Sequence, residues 1–211
     1  MTTPRYRTIV DHYEQCFETH GPGHLGVDWP NAEDADVRYA VMLGIASGPS
    51  SVLDFGCGSG GMLDYMQRQD PRFDNLDYRG HDLSSMYIEY CRRKYPEVVF
   101  TCGDVLDGFV LEPADFIVAN GVFTEKLDLT QEEMLEFLWS MLSVLFDSAR
   151  RGVAFNVMST KVEWEREDLF HLEADLVRQF ASDTLGASCQ IVEDYGLYEY
   201  TVYLYRDQEQ R

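Results

Sequence analysis

The sequence is short of positive charge and has no apolar run of membrane length. Its 211 residues carry 17 Lys and Arg against 37 Asp and Glu, a formal net charge of −20. Clustered Lys and Arg bind phosphate backbones, so this charge disfavours nucleic acid as a partner. No stretch approaches the ~20 apolar residues of a membrane span, and Asp11 and Glu14 interrupt the region where a signal peptide would be apolar. We therefore expect a soluble, cytoplasmic protein without a membrane partner.

The cysteines lack the pairing typical of metal sites and disulfide frameworks. There are five, at positions 16, 57, 91, 102 and 189, and none belongs to a C-x-x-C pair. An odd, dispersed set favours reduced and mostly buried thiols. The sequence therefore predicts neither a disulfide nor a metal site.

What is present is the composition of a globular domain, 45% hydrophobic and 13% aromatic. We find no internal repeat and no linker, and expect one domain over residues 33–211 behind an extension of residues 1–32. Periodicity predicts strands at 50–55, 78–81, 98–101, 114–119, 152–157, 190–193 and 198–205, and helices at 33–46, 61–68, 84–94, 130–146 and 169–185.

This alternation of strands and helices predicts a doubly wound α/β fold with helices on both faces of the sheet. Only residues 194–197 separate the last two strands, too few for a crossover helix, so these strands should form an antiparallel hairpin. The predicted fold class is a mostly parallel, seven-stranded sheet that ends in an antiparallel hairpin.

A glycine-rich loop directly follows the first strand, where residues 52–61 read VLDFGCGSGG. Gly56, Gly58 and Gly61 also fit the dinucleotide pattern G-x-G-x-x-G, which is weak alone. Asp54 lies two residues before the first glycine, where its carboxylate would repel a pyrophosphate but would suit a ligand with ammonium and sulfonium groups. The loop therefore lets ligand atoms approach bare backbone at a helix amino terminus, and Asp54 favours a positively charged ligand over a pyrophosphate.

The acid-x-G-x-G-x-G pattern of Asp54, Gly56, Gly58 and Gly60 resembles the first motif of the class I S-adenosylmethionine-dependent methyltransferases. The resemblance covers about residues 50–206. It implies S-adenosylmethionine as the cofactor, S-adenosylhomocysteine as the product, and a cofactor-binding loop that includes Cys57.

Two further acids follow the next two predicted strands. Asp82 stands where it would accept hydrogen bonds from both ribose hydroxyls, and the resemblance implies that Leu83 packs on adenine. Asp104 matches the family's adenine-reading acid, with the Val105 N–H serving a ring nitrogen. Three acids at successive strand ends, counting Asp54, fit a ligand at the carboxyl edge of the sheet.

The fourth strand is followed by Asn120-Gly121-Val122-Phe123, a segment that flanks the transferring methyl group in this family. The resemblance implies cofactor contacts from Asn120 and Val122 and a substrate contact from Phe123. Family members that methylate base amines or glutamine carry Asn/Asp-Pro-Pro-aromatic here. Gly121 and Val122 replace both prolines, which weighs against those acceptors.

The extension of residues 1–32 is expected to form a lid over the cofactor, as such extensions do in this family. Residues 20–30 are rich in glycine and proline and contain Trp29. The G-V-D-W segment resembles a group of small bacterial methyltransferases, which implies Trp29 and Arg38 near the methionine end. Arg38 would hold the cofactor carboxylate, or else be a surface arginine. His20 and His24 are candidate substrate contacts.

The candidate catalytic base is His171, which follows the fifth strand where these enzymes build the acceptor pocket. Tyr195 is a candidate substrate contact, with core packing as the alternative. Many methyltransferases need no strong base, because alignment for in-line displacement supplies much of the rate.

Together these observations predict methyl transfer to an oxygen, nitrogen or sulfur atom of a small molecule. The alternatives are a protein methyltransferase, a non-catalytic cofactor-binding protein on the same fold, and an NAD-dependent oxidoreductase. Asp54 and the terminal hairpin weigh against the last. The sequence leaves the oligomeric state open.

Overall fold

The computed structural model describes residues 4–68 and 73–206. Residues 1–3 of the predicted extension and 207–211 of the predicted domain lie outside these ranges. The helices are α1 Arg7–His20, α2 Ala32–Leu43, α3 Gly61–Arg68, α4 Ser85–Lys94, α5 Gln131–Ser148 and α6 Ala174–Phe180. The strands are β1 Ser50–Phe55, β2 Leu76–Asp82, β3 Phe100–Cys102, β4 Ala114–Ala119, β5 Ala149–Ser159, β6 His171–Leu172, β7 Ala187–Val192 and β8 Glu199–Arg206.

The strands form one twisted sheet in the order β3-β2-β1-β4-β5-β8-β7. The strands from β3 to β5 in this order are parallel, and β8 runs antiparallel to both β5 and β7. This confirms the predicted mostly parallel sheet with a terminal hairpin. The two-residue strand β6 pairs with the end of β5 and is an addition to the seven predicted strands.

Helices cover both faces of the sheet, as a doubly wound fold requires. One apolar cluster joins α5 and α6 to the sheet, and a second joins α2, α3 and α4 to the opposite face. The two central strands are buried on both sides; Ile117 and Val118 of β4 and Val153 and Phe155 of β5 are fully buried. The core therefore lies on both faces of the central strands β1, β4 and β5. The carboxyl ends of these strands meet at one edge of the sheet.

Two predicted helix starts are confirmed by their capping bonds. The side chain of Asn31 accepts a hydrogen bond from the Asp34 N–H at 2.7 Å, which starts α2. Thr130 and Glu133 form the reciprocal capping box that starts α5. These caps satisfy amide groups that have no partner within the helix.

The prediction of one helix over residues 169–185 is wrong at its amino end. The Phe170 N–H donates to the Thr124 carbonyl at 2.7 Å, and residues 171–172 form β6 beside β5. Phe170 is fully buried. Burial and strand pairing have overridden the local helical pattern here. Helix α6 starts only at Ala174, and a π-helical turn over Ala181–Leu185 follows it.

Helix α1 crosses the carboxyl edge of the sheet. The Tyr6 ring, just before α1, stacks on Phe137 of α5 at 5.0 Å between ring centroids, and Phe17 packs edge-on against Tyr87 of α4 at 4.9 Å. A short 3₁₀ turn over His24–Val27 leads from α1 towards α2. The amino-terminal segment therefore covers this edge, and residues 6–30, which include α1, are called the roof here.

None of the helices in the described ranges is long and apolar enough to cross a membrane.

Candidate active site

A cavity of about 580 Å³ lies between the roof and the carboxyl edge of the sheet. Its volume is in the ~300–1,000 Å³ range of ligand sites. Most of the residues predicted to bind the cofactor line it: Trp29, Asp54, Gly56, Cys57, Gly58, Asp82, Leu83, Asp104, Val105, Asn120 and Val122. His24, predicted as a substrate contact, lines it too.

The glycine loop exposes backbone atoms of residues 56–58 to the cavity. Gly56 and Gly58 have φ angles of 75° and 51°, in the left-handed region that favours glycine. A Cβ atom on Gly56 would lie 2.5 Å from the Cγ2 atom of Val122. Gly60 also has a positive φ, but it lies against the Tyr95 ring and outside the lining, so its role is to turn the chain into α3.

Asp54 is a buried carboxyl at the end of β1, with an exposed fraction of 3%. The Tyr78 hydroxyl donates to its Oδ2 atom at 2.7 Å. Burial raises the pKa of Asp54 to about 7, the nearby charge of Asp82 adds to the rise, and the Tyr78 hydrogen bond opposes it. A cationic ligand would favour the charged form of this group.

Asp82 is held by the backbone of two loops. The Gly58 N–H donates to its Oδ2 atom at 2.8 Å and the Ser84 N–H to its Oδ1 atom at 2.9 Å. Each carboxylate oxygen keeps further acceptor capacity, so the group can accept from two vicinal hydroxyls. Burial raises the pKa of Asp82 to about 6, although both backbone bonds oppose the rise.

Asp104 is bound from the roof, which the sequence analysis did not predict. Arg7 Nη2 and the Tyr6 hydroxyl contact its Oδ2 atom at 2.6 and 2.9 Å, and the Leu106 N–H donates to Oδ1 at 3.0 Å. The Asp104 side chain is 7% exposed. It lines the cavity and also ties the start of α1 to the sheet.

Asn120 follows β4 and completes the wall of the cavity, the name used here for residues 54–58, 82–83, 104–105 and 120–121 at the strand ends. Its Oδ1 atom is buried, and no hydrogen bond reaches it from any residue that the structure describes. A buried acceptor without a donor costs free energy, so this atom is suited to a ligand that carries N–H groups. Beside it, Gly121 leaves room for Trp29, whose Cζ2 atom would lie 3.0 Å from a Cβ at that position.

Arg38 and Tyr195 lie outside the cavity lining, because both are engaged with Glu199 on β8. Arg38 Nε donates to Glu199 Oε2 at 2.9 Å, and these side chains are only 14% and 1% exposed. Tyr195 and Asn156 donate to Glu199 Oε1 at 3.2 and 3.0 Å. The Arg38 guanidinium also lies 4.9 Å from the Trp29 ring centre. This network therefore packs against the roof from the side away from the cavity.

His171, Phe123 and His20 also lie outside the cavity lining. Pairing with β5 holds His171 in β6, where its Nδ1 atom lies 2.7 Å from the Ser159 carbonyl and its side chain borders a separate shallow groove. Phe123 is fully buried against Phe155. His20 is exposed at the end of α1.

Four cavity residues at the start of the roof were not predicted from the sequence, although His24 and Trp29 of the roof were. Tyr6, Ile9, Val10 and Tyr13 line the cavity and follow one another at helical spacing. That apolar stripe is the signal that would have located α1. Burial raises the pKa of Tyr13, so its hydroxyl stays protonated; it lies 3.4 Å from the Gly121 carbonyl.

Comparisons with known proteins agree with this geometry. The sequence profile Methyltransf_25, a methyltransferase domain, matches residues 52–148. The Mycobacterium tuberculosis (strain ATCC 25618 / H37Rv) protein Rv1506c, which carries the name methyltransferase, is 29% identical over 162 residues, covering 74% of this chain and 93% of that protein.

Solved structures show the same fold. The magnesium protoporphyrin IX methyltransferase of Synechocystis PCC 6803 with bound S-adenosylhomocysteine is 17% identical with a TM-score of 0.61, covering 95% of this chain and 100% of that one. The DhpI-SAM-HEP complex is 15% identical with a TM-score of 0.63, covering 97% and 99%.

A cationic nucleoside suits this site, which combines the glycine loop, three strand-end acids and the unpartnered Asn120 Oδ1 atom. The matching sequence profile and the M. tuberculosis relative are both named as methyltransferases. The chain thus resembles the class I S-adenosylmethionine-dependent methyltransferases in its sequence profile, in its named relative and in its fold.

Proposed function

We propose that the protein transfers a methyl group to an oxygen, nitrogen or sulfur atom of a small molecule. The observation that carries this proposal is the roof: α1 and residues 21–30 cover the same cavity that Asp82 and Asn120 line. An acceptor must reach the methyl group beneath this cover. A small molecule fits such a path, whereas a folded protein surface does not.

The residues of the wall suit the parts of S-adenosylmethionine, which supplies a methyl group activated by its sulfonium. In the proposal, Asp82 accepts from the ribose hydroxyls, Leu83 packs on adenine, and the Val105 N–H donates to a ring nitrogen of the base. Asn120 Oδ1 accepts from the ammonium group, and Asp54 adds negative charge near it. These roles place the methionine end beside Trp29.

The acceptor side of the cavity is then formed by the roof. Tyr13, His24 and Trp29 line it there. The neutral Tyr13 hydroxyl orients an acceptor by hydrogen bonding rather than by removing a proton. His24 takes the place in the proposal that the sequence analysis assigned to His171, since His171 lies outside the lining. Alignment of the acceptor, more than base strength, would supply the rate.

The test uses cofactor carrying a labelled methyl group and a cell extract divided by size. We expect label in the small-molecule fraction with the wild-type protein and with Asp77→Ala, which changes an exposed acid on β2. Asp82→Ala should lose most of the label. Label that appears chiefly in the protein fraction would refute the proposal.

A further inference from the structure

A mixed cluster of metal-binding side chains lies on the roof, outside the residues that line the cavity. His12 and Cys16 stand four residues apart on α1, and Asp28 follows the 3₁₀ turn. His12 Nε2 lies 2.8 Å from Asp28 Oδ2 and 3.8 Å from Cys16 Sγ. All three potential ligand atoms lie within 4.8 Å of one another.

These separations are close to those around a tetrahedral metal ion. With bonds of about 2.0–2.3 Å to nitrogen, oxygen and sulfur, neighbouring ligands of zinc lie about 3.4–3.6 Å apart. The observed distances lie on either side of this range, so small side-chain rotations bring the three atoms onto one ion. Binding would replace the hydrogen bond between His12 and Asp28.

The two segments that supply the ligands are held together independently of the cluster. The Tyr87 hydroxyl of α4 lies 2.8 Å from the Tyr13 carbonyl of α1 and 2.7 Å from the Gly26 carbonyl of the turn. Asp28 adopts the left-handed conformation, with φ 57°, and its N–H donates to the Leu25 carbonyl at 3.2 Å. The backbone is therefore already set at the spacing that the ion needs.

The cluster is accessible and its surroundings are acidic. The side chains of His12 and Asp28 are 29% and 47% exposed, so an ion can enter from solvent. The carboxyl of Glu125 lies near enough to interact electrostatically with both. Negative charge of this kind favours a dication, and the nitrogen–sulfur donor set selects a zinc-like ion over magnesium or calcium.

We propose that His12, Cys16 and Asp28 bind a divalent ion of the zinc class through three protein ligands. Three ligands leave a fourth tetrahedral position for water or another small ligand. Val27 and Trp29 flank Asp28 and line the cavity, as does Tyr13 beside His12. A bound ion would join α1 to residues 21–30 and hold the roof closed. This inference stands apart from the proposed acceptor.

Cobalt(II) is the probe, because a cysteine-bound tetrahedral Co²⁺ has visible absorption and a thiolate charge-transfer band. Titration of the full-length, metal-free protein should give one equivalent with both features, and Zn²⁺ should abolish them. Cys16→Ser should remove the charge-transfer band. His12→Ala should weaken Co²⁺ binding by about 100-fold or more. Losing a residue that only hydrogen-bonds to a metal ligand already lowers metal affinity by about 10–100-fold.

The matched controls are Cys189→Ser and His20→Ala, which change a cysteine and a histidine outside the cluster. Both should bind Co²⁺ as the wild type does. Thermal melting of each metal-free variant checks that it is folded. Absence of the thiolate band at saturating Co²⁺ would overturn the proposal. So would a band that the folded Cys16→Ser and His12→Ala variants retain at unchanged affinity.

Discussion

The wall and the roof of the cavity are built in different ways. In the wall, loops at neighbouring strand ends bind each other through backbone groups, as when the Gly58 N–H donates to Asp82. In the roof, side chains reach across the chain, as when Tyr6 and Arg7 contact Asp104 about a hundred positions away. The wall is therefore part of the sheet itself, whereas the roof depends on a few side-chain ties.

A further side-chain network packs against the roof on the side away from the cavity. The buried Arg38–Glu199 pair supports the Trp29 ring, while Asn156 bonds both Glu199 and the Gly121 N–H. The same network thus touches Trp29 of the roof and Gly121 of the wall. Substitutions in the wall, in the roof and in this network should therefore differ in how much they change the free energy of unfolding and how much they change ligand affinity.

The largest effect is expected from Glu199→Gln, which leaves the buried Arg38 charge without its partner. Breaking a buried ion pair costs about 3–5 kcal/mol, so we expect the free energy of unfolding to fall by about 3 kcal/mol. Denaturant titration measures it. Asp175→Asn breaks an exposed pair with Arg178, whose side chains are 89% and 50% exposed, and should cost less than about 1 kcal/mol. Equal losses in the two variants would contradict the prediction.

Next in size is Asp82→Ala in the wall. Charge-assisted hydrogen bonds to two ribose hydroxyls should be worth about 2–4 kcal/mol, so binding of S-adenosylhomocysteine should weaken about 30-fold or more. Calorimetry measures the affinity, and thermal melting checks the fold. Asp77→Ala on the same strand should bind normally. An unchanged affinity in Asp82→Ala would remove this residue from the proposed site.

The pH dependence of binding is expected to follow Asp82. Its pKa is about 6 in the free protein, and hydroxyl donors favour the charged form, so its pKa in the complex is lower. Binding therefore releases a proton below pH 6, and the titration of Asp82 should raise the affinity for S-adenosylhomocysteine by up to about fivefold between pH 5 and pH 6. The raised pKa of Asp54 acts in the same direction.

Calorimetry at several pH values measures this slope, which should flatten above about pH 7, where both Asp82 and Asp54 of the free protein are charged. Asp82→Asn has no charge to titrate and should show a smaller slope. An affinity that is flat or falls as the pH rises from 5 to 6 would refute the assigned sign.

The smallest effect is expected from Trp29→Ala in the roof. If residues 20–30 close over the cofactor, losing one aromatic contact of about 0.5–1.5 kcal/mol should weaken binding about three- to tenfold with little change in apo melting temperature. Amides of residues 20–30 should gain hydrogen-exchange protection with S-adenosylhomocysteine. Trp164→Ala, at a 69% exposed site, is the control.

The opposite pattern would mean that Trp29 is a permanent part of the core. The variant would then lose several degrees of apo stability, and exchange in residues 20–30 would ignore the ligand. That result would refute closure of residues 20–30 over the cofactor and would leave the proposed roles of the wall residues unaffected.

Much of the wall could be predicted because its positions follow from strand ends. Asp54 and Asp82 lie in the last two positions of β1 and β2, and Asp104 lies two residues beyond β3. Parallel strands bring their carboxyl ends to one edge. The helix caps at Asn31 and Thr130 and the terminal hairpin are equally local, since a few adjacent residues specify them.

The mistaken and missing assignments concern residues whose partners are distant. His171 reads locally as part of a helix, yet pairing with β5 draws it into the sheet. Arg38 reads as a free cation, yet its partner Glu199 lies on the last strand. The metal cluster proposed above could not be read from cysteine spacing, because His12 and Cys16 come near Asp28 only when the chain turns back after α1.

By itself, the sequence determined the succession of the seven main strands along the chain, the glycine loop and the row of acids at the carboxyl edge, because each depends on short-range periodicity and spacing. Only the tertiary structure decided which side chains cover that edge and which are taken up elsewhere. Asp104 is tied to Arg7, Arg38 to Glu199 and His171 to Ser159. Such pairings depend on how helices and distant strands pack, and local sequence does not encode the distance between them.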